Sequence, residues 1–129
     1  MTTIDDLAAL PLTYLASPYT KYRAGPERAY RDACGLAARL LVRGVKLYSP
    51  IAHTHGIAIH GGLDPLDHSI WLPFDQAIMN VCDACIVAMM DGWHESRGVA
   101  HEIGFFSGSG RPVFYLDPGS LAISDNSQT

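Results

Sequence analysis

Four groups of residues in this chain are of types and spacings that could do chemistry. The first is Ser96-Arg97-Gly98-Val99-Ala100-His101-Glu102. Ser96 falls where a helix wants its N-cap, and Gly98 leaves the first turn open. A helix N-terminus with free N–H groups beside a hydroxyl is a natural site for a phosphate or a carboxylate. Glu102 lies nearly two turns further along, facing the sheet or a pocket between Val99 and Ile103. The plainer alternative is a capping serine and a glutamate on a solvated face. The second group is Asp75, expected at the start of a helix after Trp71-Leu72-Pro73-Phe74, with its carboxylate near the preceding loop. An acid that merely complements the helix dipole is the alternative there. The third is Tyr14-Leu15-Ala16-Ser17-Pro18-Tyr19, in which a tyrosine inside a buried strand needs a partner for its hydroxyl. A carboxylate from a neighbouring helix would supply it; otherwise Tyr14 is a core residue. The fourth is sulfur and imidazole: Cys82-x-x-Cys85 and His53-x-His55 raise zinc or thiol chemistry. Cys85 opens the most apolar strand, however, whereas a redox pair usually opens a helix that lowers the thiol pKa. His53 and His55 are therefore expected to line a ligand pocket or to hydrogen-bond within their loop. Asp83 is read as structural.

These residues need a scaffold, and the pattern around them is strand–helix alternation. Leu12 to Ala16 reads as a buried strand stopped by Ser17-Pro18. Gly25-Pro26-Glu27 opens a helix carried by Ala29, Ala33, Leu36, Leu40 and Leu41 and closed at Gly44. Val45 to Tyr48 is a short second strand. Periodicity fails from Ile51 to Pro73, which predicts a long loop of the kind that covers a site. A helix is expected from Phe74 to Val81, then a central strand from Ala84 to Met89, a helix from Arg97 to Phe106, and a strand from Val113 to Leu116. The fold class implied is α/β: one doubly wound, Rossmann- or flavodoxin-like parallel sheet of four to five strands. One domain over 1–129 is expected, with its core at about 12–117 and a polar tail from 118. Ligands of such folds sit outside the carboxyl ends of the strands, which picks out the loops Ser17–Pro26, Pro50–Pro73, Met90–Gly98 and Asp117–Ser120.

Composition narrows the function classes. A chain of 129 residues with 48% hydrophobic and 17% charged residues can bury a core and is not of disordered type. Its net charge of −4 lacks the basic footprint of a protein that binds a nucleic-acid polymer. The longest apolar run, Ala84 to Met90, is far below the roughly 20 residues that span a bilayer, so no membrane partner is expected. Three cysteines and no basic, apolar leader suggest reduced thiols and a cytoplasmic location.

Taken in order, Tyr14-Leu-Ala-Ser-Pro-Tyr19, Tyr48-Ser-Pro-Ile-Ala-His-Thr-His55, Asp75 with Asp83, and Asp91-Gly-Trp-His-Glu-Ser96-Arg-Gly-Val-Ala-His-Glu102 resemble the nucleoside 2-deoxyribosyltransferase-like superfamily, over about Tyr14 to Leu116. The likeness is to a little-characterised bacterial and phage branch. It implies that Glu102 is the nucleophile, that Asp75 assists at the base and that Tyr14 orients Glu102. Transferases of free nucleosides have an aspartate six residues before the nucleophile. The 2′-deoxynucleoside 5′-monophosphate N-glycosidases have a serine there, as this chain has in Ser96. Their first loop is glycine-rich, where this chain has Ala16-Ser17-Pro18-Tyr19.

The resemblance thus implies hydrolysis of the N-glycosidic bond of a (2′-deoxy)nucleoside 5′-monophosphate through a covalent intermediate on Glu102. Ser17, Ser96, Gly98 and Arg97 would hold the phosphate, and Tyr19, His53, His55 and Trp71 complete the substrate-binding set. No metal or organic cofactor is expected. The alternatives are a 2-deoxyribosyltransferase that exchanges bases and a nucleotide-binding module without turnover. The resemblance further implies a homo-oligomer, a dimer or tetramer, with Ser120 or Ser124 offered to the neighbouring subunit's site.

Overall fold

The buried tetrapeptide Thr13–Ala16 forms β1 and the apolar run Ala84–Ala88 forms β3, the two strands buried on both faces. Continuous apolar sequence is what a strand covered on both sides requires. In the computed structural model, which describes residues 1–125, they are joined by α1 (Ile4–Ala8), α2 (Pro26–Val42), β2 (Leu47–Tyr48), α3 (Pro50–Gly61), α4 (His68–Val81), a 3-10 turn at Trp93–Glu95, α5 (Arg97–Gly108), β4 (Val113–Leu116) and β5 (Ile123–Ser124). The sheet order is β2-β1-β3-β4-β5; the first four strands are parallel and β5 runs antiparallel. This is the expected doubly wound α/β sheet.

Alternation along the strands divides the core in two. Leu15, Ile86 and Ala88 pack on one face with Leu7 of α1 and Leu36 and Leu40 of α2. Tyr14, Ala16, Cys85 and Val87 pack on the other with Met79 of α4 and Val99 and Phe106 of α5. Parallel register sets Tyr14 directly between Tyr48 of β2 and Cys85 of β3. The order reverses between β1 and β3, so a crevice opens beyond their carboxyl ends.

Three expectations need correction. The segment expected as a loop from Ile51 to Pro73 is mostly helical. Ser49 caps α3, its Oγ accepting from the Ala52 N–H at 3.3 Å, with Pro50 in the first turn. The period was invisible because α3 is apolar around much of its circumference: Ile57 and Ile59 face outward while Thr54 and His55 are buried. Asp67 caps α4 earlier than expected, and Pro73 sits inside that helix instead of ahead of it. Asp75 is therefore mid-helix, where no dipole complement is needed. The third correction is the tail, which contributes the antiparallel edge strand β5.

Candidate active site

Asp75 on α4 and Glu102 on α5 line one cavity of about 580 Å³ at the carboxyl end of β1. Under them lie Tyr14 and Tyr48, side by side with ring centroids 5.8 Å apart. Tyr14 is fully buried and also packs on Phe106. Burial pushes the Glu102 carboxyl up to about 8; the nearby Tyr14 hydroxyl opposes the shift and the charge of Asp75 adds to it. Burial likewise pushes Asp75 up to about 6, with the Tyr48 hydroxyl opposing. Both phenols are driven far above their ordinary range, by burial first and then by these carboxylates, so both remain O–H donors. Each tyrosine thus serves one carboxyl: Tyr14 serves Glu102, and Tyr48 serves Asp75. The Tyr14 and Tyr48 hydroxyls and Asp75 Oδ1 are buried without a well-formed hydrogen bond. Hydrogen-bonding capacity left open beside two carboxyl groups suits a site completed by its ligand.

The other end of the cavity suits an anion. Ser96 is buried at the N-cap of α5, and its Oγ accepts from the Val99 N–H at 3.2 Å, leaving the hydroxyl proton free to donate. A Cβ added at Gly98 would meet only Ser96 Oγ, at 3.9 Å, so the first turn is open to a ligand. Ser17, directly after β1, is buried with its hydroxyl unpartnered. Lys21 and Arg97 line the rim and are exposed. Open N–H groups, two hydroxyls and two cations make a place for a phosphate. The loop carrying Ser17 to Lys21 is pinned from across the crevice. Gly92 adopts φ +81° and packs so closely that a Cβ would collide with the Lys21 carbonyl, while Asp91 Oδ2 accepts from the Arg23 N–H at 3.0 Å.

Of the residues expected from sequence, Ser17, Tyr19, Trp71, Asp75, Ser96, Arg97, Gly98 and Glu102 all line the cavity, and Tyr14 lies beneath it. Trp71 is fixed by its indole N–H, which donates to the Asp64 carbonyl at 2.9 Å. His53 and His55 do not line it, contrary to expectation. They stand on α3, where two residues are separated by about 200° around the axis, and the helix turns the intervening Thr54 to the cavity instead. His53 stacks on Phe74 at 5.1 Å, beside Tyr48. His55 is buried between Tyr19 and Glu27. Tyr48, Thr54, Lys21 and His101 were missed by sequence reasoning. Tyr48 ends a strand just as Tyr14 lies within one, and that parity was the available signal. Asp83 is structural, its Oδ2 accepting from the Leu12 N–H at 3.0 Å.

Cys82 and Cys85 are buried, free thiols, both pushed upward by burial, Cys82 to about 11. Among the described residues no three His, Cys, Asp or Glu side chains gather as a metal site would need. A shallower depression of about 500 Å³, over Tyr22, Arg39, Asp91 and Gly119, brings together none of the expected catalytic residues. Ser120 is exposed, its Oγ accepting from the Ala122 N–H at 3.2 Å, and Ser124 lies in β5.

No curated protein matches the chain. Residues 11–117 match the family described as Domain of unknown function (DUF1937), a span that takes in both carboxylates, both tyrosines and the hydroxyl-lined end of the cavity. The chain belongs to that family.

Proposed function

We propose that this protein cleaves the N-glycosidic bond of a (2′-deoxy)nucleoside 5′-monophosphate and releases the free base. The observation that carries the reading is the cavity with two raised carboxyl groups, each beside its own tyrosine, and a hydroxyl-lined helix N-terminus at its other end. Glu102 attacks C1′ as the bond to the base breaks, forming a glycosyl ester; Asp75 delivers a proton to the departing base. Water then attacks C1′, the ester bond breaks and the Glu102 carboxylate is regenerated. Asp75 takes up the proton released by that water. The Tyr14 hydroxyl stabilises the ionised form of Glu102, which the apolar surroundings disfavour. Ser96, Ser17 and the open first turn of α5 hold the phosphate, where an aspartate in place of Ser96 would repel it.

The partner in the assembly is a second copy of the chain. Supporting it, α3 and α4 contain no Lys or Arg and only one acid, Asp75, and they expose Ile57, Ile59, Ile70, Leu72 and Phe74. An apolar face without charge can meet itself about a two-fold axis without repulsion. Among the described residues no helix is long and apolar enough to cross a membrane. We place the protein in the cytoplasm, in keeping with its three free cysteines.

A base-release assay on deoxy and ribo nucleosides and their 5′-monophosphates, with and without a second free base, tests the reading. Free base from monophosphates alone is the expected result. Base exchange without net release would assign the chain to the transferases. Binding without either would make it a nucleotide-binding module.

A further inference from the structure

His55 lies outside the cavity yet is the buried centre of a chain of hydrogen bonds that runs from the surface to a cavity residue. Its Nε2 lies 2.8 Å from Glu27 Oε2, and its Nδ1 lies 2.6 Å from the hydroxyl of Tyr19, which lines the cavity. The imidazole is 5% exposed, and Tyr30 stacks on it with centroids 4.5 Å apart. Glu27 comes from α2, His55 from α3 and Tyr19 from the loop after β1, so three separate segments are tuned to one line of bonds. None of the three residues has a role in the cleavage described above.

The direction of the bonds follows from the end that has no choice. Glu27 also accepts from Arg31 Nε at 3.2 Å, and its carboxyl is held below the usual range, first by His55 and then by Arg31. An ionised carboxylate only accepts, so the Nε2 of His55 carries the proton and donates. In the neutral ring Nδ1 then accepts, and the Tyr19 hydroxyl donates its proton inward. Burial, then the charges of Glu27 and Asp64, raise the Tyr19 pKa, so that proton is retained. The oxygen of Tyr19 is left with lone pairs and no proton to offer. Thr54 lines the same cavity with its own buried hydroxyl unpartnered, so this wall has a second polar group still to be satisfied.

We infer that Glu27 and His55 are positioning residues which fix the Tyr19 hydroxyl as a hydrogen-bond acceptor, so that the cavity selects a ligand presenting a neutral donor at this wall. The inference rests on the nucleotide reading of the same cavity, where such a donor is either a sugar hydroxyl or the exocyclic amino group of a base. A chain of bonds serving only as a strut would brace the loop and leave ligand choice untouched.

Calorimetric titration of the Glu102→Gln protein separates these roles. The probes are deoxyadenosine and deoxycytidine 5′-monophosphates, their counterparts lacking the amino group, and 2′,3′-dideoxy versions lacking the sugar hydroxyl. Base release by the unmodified chain is followed in parallel. Removing the recognised donor should weaken binding about tenfold. The amino-less probes report a base donor and the dideoxy probes a sugar donor. In Tyr19→Phe the paired probes should bind equally, at the affinity of the poorer one. Glu27→Ala should cut the discrimination several-fold without altering affinity for the donor-less probe; at 59% side-chain exposure Glu27 can be replaced without unfolding the chain. Equal weakening of every probe by Tyr19→Phe, or full discrimination in Glu27→Ala, would overturn the inference. Discrimination without base release would leave it standing while removing the glycosidase reading, and no binding by any probe would remove both.

Discussion

At the scale of single residues, the site is two carboxyl groups kept partly protonated by burial, each beside a phenol that favours its ionised form. Their values of about 6 and about 8 belong to the pair, which carries one proton between them near neutrality. Glycosyl transfer uses the less populated arrangement of that proton, with Glu102 ionised and Asp75 protonated, since Glu102 is the weaker acid of the two. Below about 6 both carboxyls hold protons and Glu102 cannot attack; above about 8 neither does and the base leaves unassisted. The dependence of kcat/KM on pH should therefore be a bell with limbs near these two values. In Asp75→Asn the alkaline fall should vanish, leaving a single rise on a plateau roughly 10²–10⁴ lower. The rise should come below 8, because the charge of Asp75 no longer opposes ionisation of Glu102. Tyr14→Phe tests the phenol. Its hydroxyl has no well-formed bond, so its loss should cost less than about 1 kcal/mol in denaturant titration. The alkaline limb should nevertheless move upward and the rate should fall, since Glu102 loses the donor that favours its ionised form. Both carboxylates, Tyr14 and Ser96 were legible in the sequence through residue type, spacing and resemblance. Tyr48 and Thr54 were not, because their roles depend on strand register and helix phase.

At the scale of elements, α5 would combine a structural duty with a chemical one at the same residue under the proposed reaction. Ser96 caps the helix and lines the part of the cavity suited to a phosphate, with its hydroxyl proton free to donate. Ser96→Ala should cost about 1 kcal/mol of stability and weaken monophosphate binding. Ser96→Asp separates the two duties: aspartate is an equally good cap, so stability should hold while affinity for the dianionic monophosphate falls at least tenfold. The free nucleoside should bind no worse, and calorimetry with both ligands decides. The sheet and α5 could be read from sequence because burial on both faces gives unbroken apolar strands and a clear cap opens the helix. The stretch from Pro50 to Pro73 could not. Helical periodicity registers only when one face is polar, and α3 carries apolar side chains on its outer face as well. Reading that stretch as a loop placed His53 and His55 in the cavity; the helix hands that place to Thr54.

At the scale of the whole molecule, the proposed pairing of two copies would account for that same apolar outer face. Ile59 and Ile70 are 56% and 40% exposed on helices that carry no Lys or Arg, which fits an interface between two copies. Sedimentation should find the unmodified chain as a dimer or tetramer. The Ile59→Glu, Ile70→Glu double variant should sediment as a monomer, because the two-fold axis would bury four like charges. Leu72 and Asp75 lie on α4, where the cavity wall continues into that face, so the monomer should also lose activity. The proposed reaction is decided by base release from a set of 2′-deoxynucleoside 5′-monophosphates by the unmodified chain and by Glu102→Gln. The unmodified chain should yield free base and sugar phosphate in equal amounts, and the variant, whose amide cannot attack C1′, should lose at least about 10³-fold. Release that persists undiminished in Glu102→Gln, or no release from any monophosphate, would contradict the proposed reaction.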